Sequence, residues 1–326
     1  MVPVFAIKKN LVSFMTLIST ICVSAQTDFK AILTTTEKNV IPEGITINPA
    51  DGMIYVSSIA LKKIIAIDTN GKHRDFITSG QDEFLEGLGM KIDARKQWLW
   101  AVSNQKQGKW FISQLHAFDL KKGSIKQKYV IKDTMKHFFN DLILHPNGKL
   151  YITDSEGWSI YEADPRMQKL KLLIRDSLIA YPNGITFNNK GKVYIATYSH
   201  GLIQLDLQSR KLARLNGYLD FAKAHNLDGL VYWNNKIIGV YNGAETNADN
   251  AIVEYSLNAR GDQITGERII DRGNNFFHEP TTAALYANKL YVLANSYLAA
   301  YNANKESVKG IENKLGPVTI LIYYLK

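Results

Sequence analysis

The chain has 326 residues, of which 46% are hydrophobic and 21% are charged, as in an average soluble globular protein. This composition excludes a disordered, a collagen-like and a small disulfide-stapled protein. The formal net charge is +9, but no arginine-rich strip interleaved with aromatic residues accompanies the lysines, as nucleic-acid binding would require. We therefore expect no nucleic-acid partner. The 17 tyrosines, 13 phenylalanines and 5 tryptophans favour β structure.

Residues 1–25 are predicted to form a secretory signal peptide. Lys8 and Lys9 give a short basic start, an apolar run of 13 residues follows at 11–23, and Ala25 ends a small-residue cleavage site. The run is too short to cross a bilayer, and no later stretch is apolar enough to do so. We therefore expect an exported protein, periplasmic or secreted, with no membrane span.

Cys22 offers an alternative interpretation of the same segment. A lipoprotein signal would be acylated at this residue, but Ile21 stands before it, where such a signal needs a small residue. Cleavage after Ala25 would remove Cys22, which is the only cysteine of the chain. The mature protein would then contain no disulfide, no cysteine metal ligand and no thiolate nucleophile.

One phrase recurs six times along residues 26–326. A polar residue, usually followed by glycine, opens an apolar strand, and a turn and a second strand with an aromatic residue follow. The six polar residues recur every 43 to 54 residues, and repeats of about 40–50 residues with several short strands each are typical of a β-propeller. We predict a single all-β domain at 26–326, a six-bladed β-propeller with about four antiparallel strands per blade. The polar residues are Glu43, Glu86, Asn140, Asn183, Asp228 and Glu279.

Each copy of the phrase continues into a third strand, because apolar and polar residues alternate there as in a half-buried strand. These third strands are predicted at 63–68, 114–120, 159–164, 202–207, 251–257 and 297–302. The ring of blades must also close, and the strand-like segments 29–35 and 317–325 are available to close it. The sequence does not decide which of the two lies outermost.

The six polar residues are predicted to converge, because the first strand of each blade lines the central channel. Acidic side chains that meet in one channel repel one another unless a cation lies among them. Carboxylate and amide oxygens are ligands that Ca²⁺ prefers, so we expect Ca²⁺ in the channel. Another divalent cation such as Mg²⁺, Mn²⁺ or Zn²⁺ is the alternative, although Zn²⁺ normally takes His or Cys ligands. Asn-Gly and Asp-Gly are also ordinary turn formers, but here they precede a strand instead of joining two.

Four short motifs stand in one order at blade intervals: Pro42-Glu43-Gly44, Asn140-Asp141, Pro182-Asn183-Gly184 and Asp228-Gly229. In this order and spacing they resemble the gluconolactonase/regucalcin (senescence marker protein) family, which is related to the paraoxonases. The resemblance covers about residues 40–300. It implies a six-bladed propeller with a divalent cation in its central channel.

The resemblance also implies roles for individual residues. Glu43, Asn183 and Asp228 match the metal ligands of the family. Asn140 matches a position that contacts the substrate or a metal-bound water, and that is a direct ligand in the paraoxonase relatives. The implied reaction is metal-assisted hydrolysis of a lactone or ester, in which the cation polarises the carbonyl and stabilises the oxyanion. Asp228, as general base, and Asn140 are the predicted catalytic residues.

Five further residues are candidates for the lining of the channel. His137, His225 and His278 lie within three residues of the predicted ring and are reserve bases, although a lone histidine near a loop is more often structural or solvated. Glu86 and Glu279 are candidates for metal ligands, for electrostatic tuning groups or for lining that binds water.

The residues before Asn140 depart from the family pattern. Gluconolactonases often carry an arginine there that holds sugar hydroxyls, whereas this chain has His137-Phe138-Phe139. A more apolar small-molecule lactone or ester is therefore expected as substrate, and the protein is expected to be a monomer. The alternative is a non-enzymatic propeller that binds a ligand or protein through its loops around a structural metal, since this fold does not fix a function. A metal-free, strictosidine synthase-like chemistry is less favoured, because such propellers generally lack the acidic set.

Overall fold

The computed structural model describes residues 29–217, 226–242 and 249–325, with the side chains described from residue 31 onwards. Within these residues, 24 strands form six four-stranded antiparallel sheets. The prediction of an all-β, six-bladed propeller is therefore confirmed. The predicted signal peptide at 1–25 and the candidate His225 lie outside the described residues.

The first three blades follow one another along the chain, and each runs from an inner to an outer strand. Blade one contains β2 (Pro42–Ile47), β3 (Ile54–Ser58), β4 (Ile64–Ile67) and β5 (His73–Ile77). Blade two contains β6 (Glu86–Asp93), β7 (Trp98–Gln107), β8 (Trp110–Asp119) and β9 (Ile125–Asp133). Blade three contains β10 (Phe139–Leu144), β11 (Leu150–Asp154), β12 (Ser159–Asp164) and β13 (Lys169–Arg175).

Blades four and five repeat this order, and blade six differs from them. Blade four contains β14 (Pro182–Phe187), β15 (Val193–Thr197), β16 (Gly201–Leu205) and β17 (Leu212–Arg214). Blade five contains β18 (Leu227–Trp233), β19 (Lys236–Tyr241), β20 (Ala251–Leu257) and β21 (Ile264–Arg272). Blade six contains β22 (Ala283–Tyr286), β23 (Lys289–Leu293), β24 (Thr319–Tyr324) and β1 (Phe29–Thr34).

The two ends of the described chain close the ring in blade six. Strand β1 pairs antiparallel with β24, with Leu33 opposite Ile320, so the N-terminal strand lies outermost and β24 lies next to it. Leu33 and Ile320 are buried in an apolar cluster that also contains Ile45 and Ile65 of blade one. Burial of each such side chain stabilises the fold by about 1.5–3 kcal/mol. Ring closure is therefore supported by packing between blades six and one as well as by strand pairing.

The prediction that residues 297–302 form the third strand of blade six is wrong. The helix α1 (Leu298–Ala303) occupies this segment, and the third strand of blade six is β24. The helix contains three alanines in six residues, and alanine has the highest helix propensity. Tyr301 of α1 packs into a small apolar cluster with Ile41, Ile59 and Leu315, which attaches the helix to blade one.

The core of the propeller consists of apolar clusters between neighbouring blades. Trp100 of blade two, for example, is fully buried and packs in one cluster with Phe139 and Leu142 of blade three. No helix in the described part of the chain has the length and hydropathy needed to cross a membrane.

Candidate functional site

A β-bulge in the inner strand determines which residues face the centre of the propeller. In blade one, Pro42 pairs with Ser58 and Ile45 pairs with Val56, so the inner strand contains one extra residue between these pairs. The inner strands of blades two to five show the same shift. The residue one position after the start of the bulge forms the ring at the channel. In blades one to five this ring consists of Glu43, Leu88, Asn140, Asn183 and Asp228.

The register that the sequence predicts for blades two and six is wrong by two residues. In blades one to four, the residue three positions after a ring residue pairs with an aromatic residue of the second strand, as Thr46 pairs with Tyr55. In blade six the corresponding pair is Ala284 with Tyr291, which assigns the ring position to Thr281 and not to Glu279. In blade two Leu88 takes the position predicted for Glu86.

Close packing of the inner strands requires glycine after four of the ring residues, at Gly44, Gly89, Gly184 and Gly229. A Cβ at Gly44 would lie 2.1 Å from the carbonyl oxygen of Leu88, and a Cβ at Gly184 would lie 2.3 Å from that of Asp228. Both distances are well below the van der Waals contact distance of a carbon and an oxygen atom. Only glycine, which has no Cβ, therefore fits at these two positions. The inner strands of neighbouring blades therefore hold each other, and the ring side chains, in fixed positions.

The four predicted metal ligands line one small cavity. Its volume is about 10 Å³, close to the space that a single water-sized sphere occupies. Asp141, which lies beneath the ring, also lines it and accepts a hydrogen bond from the backbone N–H of Ile185 of blade four at 3.2 Å. The predicted ligands in this lining are Glu43, Asn140, Asn183 and Asp228.

The two ring carboxylates are buried close to other acids. Burial raises the pKa of Asp228 to about 8, and the charge of Asp141 adds to this shift, whereas hydrogen bonds from two asparagines oppose it. Burial also raises the pKa of Glu43 well above its usual range, and the charges of Asp228 and Glu279 act in the same direction. Only 9% of Glu43 is exposed, and its Oε2 has no hydrogen-bond partner. Among the described residues, no positive charge offsets these shifts in the pKa of either carboxylate.

Hydrogen bonds fix the orientation of the Asn183 and Asp228 side chains. Asn183 donates from Nδ2 to the hydroxyl of Tyr198 at 3.3 Å, and this hydroxyl donates to Oδ1 of Asn242 at 3.5 Å. Asn242 in turn donates from Nδ2 to Oδ2 of Asp228 at 2.6 Å. Because the amide nitrogen of Asn183 is used as a donor, its Oδ1 is available as a metal ligand.

Asn140 is held in a similar way in blade three. Its Nδ2 donates to Oγ of Ser155 at 3.2 Å, and this hydroxyl donates to the carbonyl of Pro182 at 2.6 Å. Ser155, Tyr198 and Asn242 were not among the site residues predicted from the sequence. In each of these blades, the residue at the start of the bulge pairs with a residue of the second strand, and the missed residue comes directly after that partner. This fixed position is the signal that would have identified them.

A larger cavity of about 580 Å³ opens above the ring. It shares Glu43, Asn140, Asn183 and Asp228 with the small cavity, and α1 contributes Leu298, Ala299, Tyr301 and Asn302 to its lining. Glu86 and Glu279 line this cavity, although neither occupies the ring. Glu279 accepts hydrogen bonds from the backbone N–H of Ala299 at 3.0 and 3.2 Å, and it thereby holds the first turn of the helix. The remaining polar and apolar lining includes Ile59, Leu88, Phe138, Ser155, Glu156, Tyr181, Tyr198, Asn242, Thr281, Ser296 and Glu306.

The two described histidine candidates do not line this cavity. His137 is buried, with Nδ1 at 2.6 Å from Oδ2 of Asp154 and Nε2 at 3.3 Å from Oδ2 of Asp133. Burial lowers its pKa, but the hydrogen bonds and charges of the two aspartates outweigh burial and raise it overall. His137 borders a separate pocket of about 250 Å³. His278 is exposed and stacks on Tyr297, with 5.3 Å between the ring centroids.

The chemistry of the ring fits a divalent cation with oxygen ligands. In the part of the chain that the structure describes, no group of three or more His, Cys, Asp or Glu side chains is arranged to hold a metal. The ring supplies two carboxylates instead, together with two amide oxygens, and Ca²⁺ binds this mixture. Glu43, with its buried and unpartnered Oε2, is the carboxylate whose environment most requires a cation.

A family model described as the SMP-30/gluconolactonase/LRE-like region matches residues 41–240. Solved structures with the same fold include regucalcin, described as a calcium-binding protein, from Agrobacterium tumefaciens, at 18% identity and TM-score 0.58, covering 91% of this chain and 96% of that one. A gluconolactonase from Xanthomonas campestris is 13% identical at TM-score 0.58, covering 90% and 89%. Virginiamycin B lyase from Staphylococcus aureus is 16% identical at TM-score 0.53, covering 82% of each chain. At these identities the likeness shows the fold alone, and no curated protein sequence matches the chain.

Proposed function

This chain belongs to the SMP-30/gluconolactonase/LRE-like family, and on that premise we propose that it is an exported, divalent-cation-dependent hydrolase that opens a lactone or an ester. One observation carries the proposal. The four predicted ligands line both a small cavity, about the size of one ion, and the larger cavity next to it, which is large enough for a substrate. They are Glu43, Asn140, Asn183 and Asp228. The family match and the gluconolactonase neighbour support the lactonase-like class.

Ca²⁺ is the proposed ion, and Glu43, Asn183 and Asp228 would hold it, with Asn140 as a fourth ligand or as a contact to substrate. When bound, such an ion supplies a Lewis acid that polarises the acyl carbonyl and stabilises the charge that develops on its oxygen. Mg²⁺, Mn²⁺ and Zn²⁺ are the alternatives for the same site.

Asp228 is the proposed general base. Its Oδ2 is engaged by Asn242, so Oδ1 is the atom that takes a proton from the attacking water. The hydroxide portion of the water adds to the acyl carbon, the ester C–O bond breaks, and the proton passes from Asp228 to the departing oxygen. A lactone then yields a hydroxy acid, and Asp228 returns to its ionised form. Asn140, anchored by Ser155, orients the acyl group by donating the second N–H of its amide nitrogen to an acyl oxygen.

The lining of the large cavity favours a substrate with apolar surface. Phe138 and Tyr181 face it from blades three and four, and Tyr301 faces it from α1. No arginine of the described residues lines this cavity, which agrees with the departure from the sugar-lactone pattern before Asn140. Apolar walls with a few fixed polar groups are typical of small-molecule sites.

Calorimetric titration of Ca²⁺ into chelator-treated protein tests the proposal, followed by a screen of lactones and esters. We expect the wild type to bind one ion and hydrolyse at least one substrate, and Asp228→Ala to lose both properties. Asp51→Ala, in the exposed turn between β2 and β3, is the control and keeps both. Absence of Ca²⁺ binding by the wild type, or undiminished hydrolysis by Asp228→Ala, would contradict the proposal.

A non-enzymatic binding propeller is the second candidate, because two aromatic side chains are exposed near the large cavity. Trp158 and Tyr181 are 39% and 43% exposed, and exposed aromatic residues are enriched at protein interfaces. On this hypothesis Asp228→Ala lowers the melting temperature, and no lactone, ester or phosphotriester is turned over by the wild type. Metal-dependent turnover that Asp228→Ala abolishes would reject it.

Export and a monomeric state belong to the proposal as well. Export rests on the sequence of residues 1–25. The monomeric state rests on the ring of blades, which closes within one chain. Mass spectrometry of protein expressed from the full-length sequence should give a chain beginning at Gln26 in the periplasm or medium. Light scattering should give the mass of one chain.

A further inference from the structure

The large cavity carries charge of one sign. Apart from tyrosines, every ionisable side chain in its lining is a carboxylate, and no Lys, Arg or His of the described residues lines it. The whole chain has a net charge of +9, so the cavity is opposite in sign to the rest of the protein. The six carboxylates are Glu43, Glu86, Glu156, Asp228, Glu279 and Glu306.

The negative charge remains when the two ring carboxylates are assigned to a divalent cation. Lys62 and Lys136 approach Glu86 and Glu156, each at 3.8 Å, but ion pairs that are this long and partly exposed are weak. Glu306 is exposed, and none of the ion pairs among the described residues includes it. The outer part of the cavity therefore presents only weakly compensated negative charge to an entering molecule.

Aromatic rings surround the same space. Phe138, Tyr181 and Tyr301 line the cavity, and Trp158 contacts Tyr181 with 5.7 Å between the ring centroids. The faces of such rings attract cations, most strongly when carboxylates lie nearby and water is displaced. At the inner end of the cavity, Glu43 is nine-tenths buried and its Oε2 has no hydrogen-bond partner among the described residues, so the cavity is acidic at both ends.

We infer that the substrate of this hydrolase carries a positively charged amine group, which binds among the outer glutamates and aromatic rings while the lactone or ester reaches the ring. This inference rests on the proposed function, since it names the substrate class of the same cavity. Anionic lactones and esters are repelled. Hydrolysis converts the substrate into a carboxylate, so the same field favours release of the product.

Binding of two probes of equal shape tests the inference without catalysis. Choline carries a quaternary ammonium group, and 3,3-dimethylbutan-1-ol replaces its nitrogen with carbon. Titration calorimetry of the full protein with calcium present should show choline binding about tenfold or more tightly than the alcohol, with an affinity that falls as salt is added. The double variant Glu86→Gln/Glu306→Gln should lose most of this preference. Glu312→Gln, on the same segment as Glu306 but outside the cavity lining, should retain it.

Turnover of acetylcholine and 3,3-dimethylbutyl acetate completes the test. A higher kcat/KM for the cationic ester, lowered in the double variant through KM, supports the inference. If choline binds selectively but neither these esters nor any lactone is hydrolysed, the proposed function fails and the cation selectivity of the cavity stands. Equal binding of choline and the alcohol, or choline binding unchanged in the double variant, overturns the inference even where neutral esters are hydrolysed.

Discussion

The side chain of Asn242 donates a 2.6 Å hydrogen bond from Nδ2 to Oδ2 of Asp228. Asn242 directly follows β19, which is the second strand of the blade that contains Asp228. The bond occupies one oxygen of a buried carboxylate and leaves the other for the cation and the reacting water. Asn242 is thus a positioning residue for Asp228.

Asn242→Ala should lower kcat about 10–100-fold, as is typical for residues that orient a metal ligand. The loss has this size because Asp228 remains present but can rotate. Steady-state kinetics with a hydrolysed lactone or ester measure it, and the Ca²⁺ affinity of the variant separates mispositioning from unfolding. An unchanged kcat in a folded variant would show that Asp228 does not depend on this bond.

Gly184→Ala should destabilise the protein by about 1–3 kcal/mol, in the range for overpacked sites. The new Cβ would lie 2.3 Å from the carbonyl oxygen of Asp228, so the inner strands of blades four and five must separate. Chemical denaturation measures the change. Gly266→Ala is the matched control, because its Cβ would lie no closer than 3.8 Å to Ser256, and its stability should change little.

Removal of the bound ion should lower the melting temperature. A ligand at about one hundred times its Kd stabilises the folded state by about 2.7 kcal/mol, which corresponds to about 4 °C in a domain of about 300 residues. Thermal unfolding with excess chelator and with Ca²⁺ measures the difference. Asp228→Ala should show no difference between the two conditions; an equal shift in this variant would locate the stabilising ion elsewhere.

His116 should make the protein less stable in mild acid. Burial lowers the pKa of this side chain to about 4, against about 6.5 in an unfolded chain. The folded state therefore binds fewer protons than the unfolded state between these values. Stability is fully present above about pH 6.5 and is lost as the pH falls through about 4, by a total on the order of 3 kcal/mol.

The surroundings of His116 explain the direction of this shift. Its Nε2 donates to the carbonyl of Asp82 at 3.2 Å, whereas Nδ1 is buried without a partner. The ring stacks on Phe118 with 5.4 Å between the centroids. Denaturation of His116→Phe at several pH values checks the prediction, since the variant should show a flatter profile between pH 4 and 6.5. An unchanged profile would assign the acid sensitivity to other groups.

The repeat period was sufficient to predict the propeller, because each blade repeats the same alternation of apolar strands and polar turns. It was also sufficient to predict four residues of one cavity, since Glu43, Asn140, Asn183 and Asp228 stand at equivalent bulges. Their roles as ligands and base remain predictions. In blade two, however, Glu86-Gly87 and Leu88-Gly89 both place a residue before a glycine. The register of β6 against β7, seen in the pairing of Lys91 with Trp100, decides between them.

The helix α1 and the partners of the ring could not be predicted for a different reason. The segment 297–302 was assigned by extending the period, and local alanine content outweighs the period there. Tyr198 and Asn242 act through strands that neighbour their ligands in space, so their roles depend on strand register, which a single sequence expresses weakly.

The position of β1 has a consequence for the order of events in the cell. Its partner β24 lies about 290 residues further along the chain, and a pairing between such distant segments forms late in folding. Until then blade six lacks its outer strand, and the ring remains open. A chain whose ring is open could still pass through a translocation channel. The predicted cleavage site after Ala25 lies only a few residues before Phe29, the first residue of β1. On the export proposed above, closure of the ring would follow passage across the membrane.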